Sequence, residues 1–284
     1  MGRLMLSAFA DEYADNFSEQ LAALNRFGIE YLELRHTDGK NVAKLSYAEV
    51  GEVQKNLCAH GIKVSAIGSP LGKIAIDDDI DAHIELTKRV CETAVRLESK
   101  YVRVFSFYFP KEKSRSDYRA AVLDALSRML DVADEYGVVL CHENEAKIWG
   151  ESPQQCRELL DLLGGRMRTV FDMGNFVLGG YKPYPEAYTL LRPYIEYFHI
   201  KDAFARGAIV PPGVGEAKIG EILSSFGQST DRDFFVTLEP HLETFSGLNA
   251  LTDVAFDNPY RYKDQQTAFT DAVTKLRQVI GEPT

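Results

Sequence analysis

The hydrophobic positions of the chain follow two alternating patterns, a short apolar run and then a longer amphipathic stretch. The short runs are rich in β-branched and aromatic residues, which is typical of buried parallel strands. They predict eight strands at 3–9, 30–35, 62–67, 101–106, 137–143, 168–172, 195–201 and 234–239. Apolar residues at helical spacing predict helices at 16–27, 81–97, 117–135, 153–163 and 264–280.

Eight strand–helix units of roughly 35 residues each predict an α/β fold, the (β/α)8 TIM barrel. Residues 1–284 would form one such domain. A doubly wound open sheet also alternates strands and helices, but no GxGxxG follows the first strand and the even spacing favours closure. Two segments are irregular: 203–232, predicted to be a long loop with a short helix, and 241–263, predicted to be a loop.

Composition and charge narrow the classes of function. The 284 residues carry a net charge of −10, which disfavours nucleic acid and anionic membrane surfaces as partners. No apolar run reaches the roughly 20 residues of a membrane helix, and the N-terminal apolar stretch is too short for a signal peptide. The four cysteines form no CxxC pair, which indicates reduced thiols in a cytoplasmic protein.

Ligand-type side chains stand at the ends of four consecutive predicted strands. Strands five to eight end on Glu143, Asp172, His199 and Glu239. In a TIM barrel the working residues lie at these ends, and neighbouring strands are about 4.8 Å apart. Because crowded carboxylates repel one another, the pattern predicts a bound divalent cation. Three carboxylates and one imidazole suit Mn²⁺, Co²⁺, Zn²⁺ or Mg²⁺.

Strand alternation supports this site. Residues two positions before the four candidates share their face of the strand and are small or mostly apolar, as expected of an inner barrel layer: Cys141, Val170, Tyr197 and Thr237. Lys201 has the same parity as His199 and lies one step nearer the mouth. It is therefore a candidate to bind a substrate oxygen.

At these positions the sequence resembles the xylose isomerase-like TIM barrel family of sugar isomerases and epimerases. That family includes tagatose/psicose 3-epimerases, hydroxypyruvate isomerases and enzymes of inositol catabolism. The resemblance covers nearly the whole chain and is carried by HENEA (142–146), VFDMGN (170–175), FHIKDA (198–203), PPGVG (211–215) and TLEPH (237–241). It implies one catalytic metal ion on Glu143, Asp172, His199 and Glu239, with Mn²⁺ as the leading candidate.

The resemblance also implies a mechanism and a substrate class. An α-hydroxy carbonyl sugar would chelate the metal, which would stabilise an enediolate. Glu143 and Glu239 would remove and return the proton, giving an epimerase or an aldose–ketose isomerase. Relatives are often dimers or tetramers, and no segment of this chain selects an oligomeric state.

The sequence departs from the family at two points. Many relatives carry a histidine three residues after the aspartate, where this chain has Asn175, and an acid in the glycine loop, where it has Val214. Further candidates for substrate binding come from the predicted strand ends and loops. They are Lys201, Asn175, His241, Trp149, Lys73 and Arg103, although Lys73 also fits a solvated loop and Arg103 a surface salt bridge.

Three other functions remain open at this stage. A dehydratase, eliminase or C-glycoside-cleaving lyase would begin with the same proton removal on the same site. An endonuclease IV-like nuclease uses a three-metal cluster with many histidines, which six histidines and a charge of −10 disfavour. A non-catalytic metal-binding barrel would keep the ligands without turnover, but both candidate acid–base glutamates are present here.

Overall fold

Eight parallel strands close into a barrel in the computed structural model, which describes residues 2–110, 114–205, 207–243 and 260–282. Each strand is hydrogen-bonded to its neighbours in sequence, and the first pairs with the last along its whole length. The (β/α)8 prediction is confirmed, and closure excludes the open sheet. The strands are β1 Leu4–Ala8, β2 Tyr31–Leu34, β3 Lys63–Ile67, β4 Tyr101–Val104, β5 Val139–Glu143, β6 Arg168–Asp172, β7 Ile195–Ile200 and β8 Phe234–Leu238.

Helices surround the barrel and bury one face against it. Local signals start several of them: the Ser46 side chain and Glu49 form a reciprocal capping box, and the Asn16 side chain accepts the Glu19 N–H. The described helices are α1 Phe17–Arg26, α2 Tyr47–His60, α3 Ile80–Arg96, α4 Arg119–Tyr136, α5 Pro153–Leu162, α6 Met173–Leu178, α7 Tyr188–Leu191, α8 Ile219–Ser229 and α9 Gln265–Ile280. None of the helices in these ranges combines the length and apolarity that crossing a membrane requires.

The interior of the barrel has an apolar base and a polar middle. Cys141, Val170 and Tyr197, three of the four residues predicted for the inner layer, pack together inside it with Ala66. Polar and charged side chains are buried above and beside this cluster, and the Ser7 and Ser65 hydroxyl oxygens lie 2.6 Å apart. The middle of the barrel is therefore built from hydrogen bonds and ion pairs.

Of the two predicted irregular segments, one can be compared with the structure. Within 203–232, Asp202–Ala203 pairs with Ile209–Val210 in a short antiparallel ladder, and α8 follows after a loop. The segment is therefore a long loop with a helix, as predicted. Most of the second segment, 241–263, lies outside the described residues.

Candidate metal and active site

Four buried side chains converge at the carboxyl ends of β5 to β8. Glu143 and Asp172 are the last residues of their strands, His199 is the second-last residue of β7, and Glu239 directly follows β8. Strand register aligns them, since Asp172 pairs with His199. Each offers one ligand atom, and these atoms all lie within 4.8 Å of one another. The structure thus brings together all four residues that the strand ends predicted as metal ligands.

The imidazole of His199 lies at the centre of this group. Its Nδ1 is 3.1 Å from Glu143 Oε1 and 3.3 Å from Glu239 Oε2. The aromatic ring of Phe9 packs edge-on against it, with ring centroids 5.1 Å apart. The Nδ1 atom therefore faces both glutamates, which is the arrangement that a shared cation needs.

Each carboxylate of the group also contacts a buried cation. Arg103 Nη1 is 3.2 Å from Glu143 Oε2, and Arg35 Nη1 is 3.0 Å from Glu239 Oε1. The Lys201 ammonium is 2.9 Å from Asp172 Oδ2 and 3.2 Å from Glu239 Oε2. These contacts hold the carboxylates at fixed positions in the mouth.

A second charged cluster supports Glu239 from the β1 side. The Arg35 guanidinium donates from Nε and Nη2 to Asp11, and Nη2 also donates to Glu12 Oε1 at 3.1 Å. Both acids lie in the 3-10 turn Ala10–Glu12 that follows β1. Sequence reasoning missed this cluster. Acidic residues in a turn do not indicate which residue they will pair with, and Arg35 lies 24 residues after Asp11, just beyond the next strand.

The charge balance of the mouth favours a bound cation. Six buried acidic side chains stand against three buried basic side chains and the imidazole of His199: Asp11, Glu12, Glu33, Glu143, Asp172 and Glu239, against Arg35, Arg103 and Lys201. Burial raises the pKa of Glu12 to about 8, so this acid is largely protonated at neutral pH. Burial raises the pKa of Asp172, and Glu143 and Glu239 raise it further, against the opposing effect of Lys201. The three-carboxylate, one-imidazole donor set therefore fits a divalent ion such as Mn²⁺, Zn²⁺ or Mg²⁺.

Neighbouring charges also act on the two central groups. Burial alone would lower the pKa of His199, but Glu33 and Glu143 raise it well above its ordinary value. Burial would raise the pKa of Glu143, yet His199 and Arg103 lower it. Without a metal, the structure thus favours an imidazolium beside ionised glutamates, so an incoming cation would have to displace this proton.

Three of the sequence candidates for substrate binding lie beside the four ligands. Lys201 Nζ donates to the half-buried Asn175 Oδ1 at 3.1 Å. Asn175 Nδ2 in turn donates to the Asn144 carbonyl at 2.9 Å. Arg103 is buried inside the barrel and donates from Nη2 to the Ser69 carbonyl. Arg103 is therefore not on the surface, and Asn175 steers Lys201 towards the carboxylates.

The other three candidates lie on different sides of the mouth. His241 Nε2 is 3.3 Å from Glu239 Oε1, and burial followed by the charge of Lys201 lowers its pKa to about 4. Lys73 pairs with Glu145 and lies 4.2 Å from the centre of the Phe105 ring. Trp149 is buried and packs edge-on against Phe109. Of the three, His241 is the one that contacts a candidate ligand within the described ranges.

Comparison with known proteins agrees with the barrel fold. The sequence pattern of the xylose isomerase-like TIM barrel family matches residues 21–262. The chain belongs to this family. No curated protein sequence matches it.

Solved structures with the same fold include enzymes of more than one reaction class. A D-allulose 3-epimerase from Methylomonas sp. in complex with D-allulose has a TM-score of 0.76 at 15% identity, over 100% of this chain and 98% of that one. The IOLI protein with a bound zinc atom has a TM-score of 0.74 at 19% identity, over 98% of both chains. The probable 3-DHS dehydratase AsbF from Bacillus anthracis has a TM-score of 0.70 at 16% identity, over 97% and 98%. At these identities the likeness shows the fold.

Proposed function

We propose that the protein is a metal-dependent isomerase or epimerase of an α-hydroxy carbonyl sugar. The observation that carries the proposal is the convergence of Glu143 and Glu239 on His199 Nδ1, at 3.1 and 3.3 Å. Two carboxylates from β5 and β8 thus reach one point in a buried mouth. That arrangement suits proton removal on one side of a substrate carbon and proton return on the other.

The metal would be held by Glu143, Asp172, His199 and Glu239, with Mn²⁺ as the ion we favour. It would supply Lewis-acid polarisation of the carbonyl next to the carbon that loses its proton, which favours an enediolate. The zinc atom bound by the IOLI protein, which has the same fold, supports a divalent ion in this chain.

The residues of this chain divide the remaining work. Glu143 or Glu239 accepts the proton in its ionised form, and the same residue or its counterpart returns it. Lys201 stays an ammonium ion, because its carboxylate neighbours raise its pKa against the effect of burial. It can donate a hydrogen bond to a substrate oxygen from the position in which Asn175 holds it. His241, Lys73, Trp149 and Arg103 remain candidates for substrate contact or for support of the site.

A dehydratase or lyase on a keto sugar is the second candidate. The similarity to the AsbF dehydratase supports it, since that enzyme shares the fold over nearly its whole length. The side-chain amide of Asn175 is hydrogen-bonded to Asn144 and Lys201. It stands where many sugar epimerases of the family carry a histidine, which counts against a close epimerase assignment. Both reactions start with the same proton transfer and differ in whether water or another group then leaves.

The four cysteines are free, and three of them are buried. Reduced thiols support a location in the cytoplasm, which we propose for this protein. We also propose a carbohydrate substrate.

We propose a homodimer or homotetramer as well, because members of the family often form dimers or tetramers.

The experiment is a proton-exchange screen in D2O with Mn²⁺-loaded protein. Ketohexoses, ketopentoses and keto-glycosides are incubated and followed by NMR for deuterium at the carbon beside the carbonyl, for new isomers, and for loss of water or an aglycone. Glu143→Gln and Glu239→Gln should each lower exchange by at least about 100-fold. Glu158→Gln, an exposed carboxylate on α5, should match the wild type. Near-normal exchange in both site variants would contradict the proposal.

A further inference from the structure

Glu33 of β2 contacts the edge of the His199 ring that points away from Glu143 and Glu239. It is fully buried inside the barrel. Its Oε2 lies 3.0 Å from His199 Nε2, and its Oε1 accepts the hydroxyl of Tyr197 at 3.1 Å. The other ring nitrogen, Nδ1, faces Glu143 and Glu239. The imidazole is thus held between a carboxylate at one nitrogen and the candidate metal donors at the other.

A histidine binds a metal through a neutral ring nitrogen, so the remaining nitrogen must carry the proton. We propose that Glu33 is a positioning residue that keeps this proton on Nε2 and fixes the plane of the ring, so that the Nδ1 lone pair faces Glu143, Asp172 and Glu239. The Tyr197 hydroxyl in turn fixes the rotamer of Glu33. This inference rests on the metal site of the proposed function.

The surroundings of Glu33 support a positioning role. A buried carboxylate costs free energy unless its partners compensate, so an apolar residue would serve a purely structural role better. Both oxygens of Glu33 are used, one on the histidine and one on the hydroxyl that holds it. Tyr197 and His199 share one face of β7, so the chain Tyr197–Glu33–His199 is set by strand geometry.

The inference is tested by Co²⁺ binding to the metal-free protein, followed by calorimetry and by the visible absorption of the bound ion. Glu33→Gln should weaken binding by about 10- to 100-fold and change the visible spectrum, because the amide supports the ring less strongly than a carboxylate. Tyr197→Phe should also weaken binding measurably, but by less, up to about 10-fold. Glu196→Gln is the matched control, since this partly buried carboxylate on β7 pairs with Arg168 and Arg232, and it should bind like the wild type.

Thermal unfolding of each metal-free variant separates positioning from stability. A merely structural Glu33 would lower the unfolding temperature while leaving the Co²⁺ affinity and spectrum of the folded protein unchanged, and that result overturns the inference. If Glu33→Gln does not fold, Tyr197→Phe decides, because it keeps both charged partners; wild-type binding in that variant would then refute the proposed chain.

The outcomes also separate this inference from the proposed reaction. If the wild type binds no Co²⁺, the metal site fails and the role of Glu33 fails with it. If the wild type binds Co²⁺ and Glu33→Gln binds it more weakly, but no sugar is turned over, the reaction is wrong and the role of Glu33 stands.

Discussion

Arg35 is the residue on which the charge balance of the mouth depends most. Its buried guanidinium contacts Asp11, Glu12 and Glu239 at 2.8 to 3.1 Å, and its central carbon lies 4.2 Å from the centre of the Phe9 ring. Three buried acidic side chains therefore share one guanidinium away from bulk water. Removing one partner of such a cluster leaves buried charge without compensation, which is far more costly than losing an exposed pair.

We expect Arg35→Met to lower the free energy of unfolding by about 3–5 kcal/mol. Urea unfolding followed by circular dichroism measures the change. Arg3→Met provides the control, because Arg3 pairs with Asp233 on the surface at 3.2 Å, and its loss should cost less than about 1 kcal/mol. Similar losses in the two variants would mean that the Arg35 cluster is not effectively buried.

At the scale of single residues, the four candidate metal ligands could be predicted from the sequence, but the contacts of the charged residues around them could not. Glu143, Asp172, His199 and Glu239 could be predicted, because each ends a recognisable strand and parallel strand ends meet. The contacts of Arg35 could not be predicted, since its partners come from a short turn and from the far end of the chain. Contacts between residues distant in sequence depend on the closed register, which no local pattern encodes.

Among the elements, the loop between β7 and α8 is organised by one carboxylate. Asp202 accepts the backbone N–H groups of Ala203, Gly213, Gly215 and Ala217 at 2.8 to 3.0 Å. A Cβ on Gly215 would lie 2.3 Å from Asp202 Oδ1, so glycine is required there. The segments FHIKDA and PPGVG are thus joined by hydrogen bonds to one side chain.

Asp202→Asn should lower the free energy of unfolding by about 2–4 kcal/mol, because the amide NH₂ would face two N–H groups that now donate to a carboxylate oxygen. Thermal unfolding measures this loss. Asp233→Asn, an exposed position, should change stability by less than about 1 kcal/mol. An equal effect of the two substitutions would show that the loop holds its shape without Asp202.

The junction between the loop after β3 and α3 should respond to pH. His83 Nε2 accepts the Gly72 N–H at 2.8 Å, so the ring is neutral there. Burial lowers the pKa of His83 to about 4, from an ordinary value of 6.5, against a weaker opposing effect of Asp78. Because the unfolded chain binds the proton more readily, His83 contributes stability above pH 6.5 that is lost as pH falls towards 4.

We therefore expect His83→Gln to flatten the fall in unfolding free energy between pH 6.5 and pH 4. Lowering the pKa of His83 from 6.5 to about 4 corresponds to roughly 3 kcal/mol at most. Urea unfolding at four pH values across this window gives the slope. His60→Gln, on a half-exposed ring at the end of α2, should retain the wild-type slope, and a wild-type slope in His83→Gln would refute the prediction.

At the scale of the whole molecule, a cation at the mouth should stabilise the entire barrel. The ligands come from β5, β6, β7 and β8, so binding links four strands, three of which supply buried carboxylates that otherwise repel one another. Mn²⁺ at about 100 times its Kd should add about 2.7 kcal/mol to stability, which corresponds to a rise in Tm of roughly 5 °C. Differential scanning calorimetry should show the rise, and EDTA should reverse it.

His199→Ala should abolish this rise in Tm, whereas Glu196→Gln should keep it. A rise that survives in His199→Ala would place the ion elsewhere. The closed fold behind this prediction could be predicted from the sequence, because eight regular units leave few other arrangements. The ladder in the loop after β7 could not, because two-residue strands have no periodicity to detect.

The polar interior also bears on how far the barrel can be divided into modules. Charged contacts join the half made by β1 to β4 to the half made by β5 to β8: Glu33 to His199, Arg35 to Glu239 and Arg103 to Glu143. Two copies of the second half would gather the metal-binding acids without the arginines that balance them. The halves are therefore not interchangeable, because each supplies charged groups that the other needs for its buried contacts.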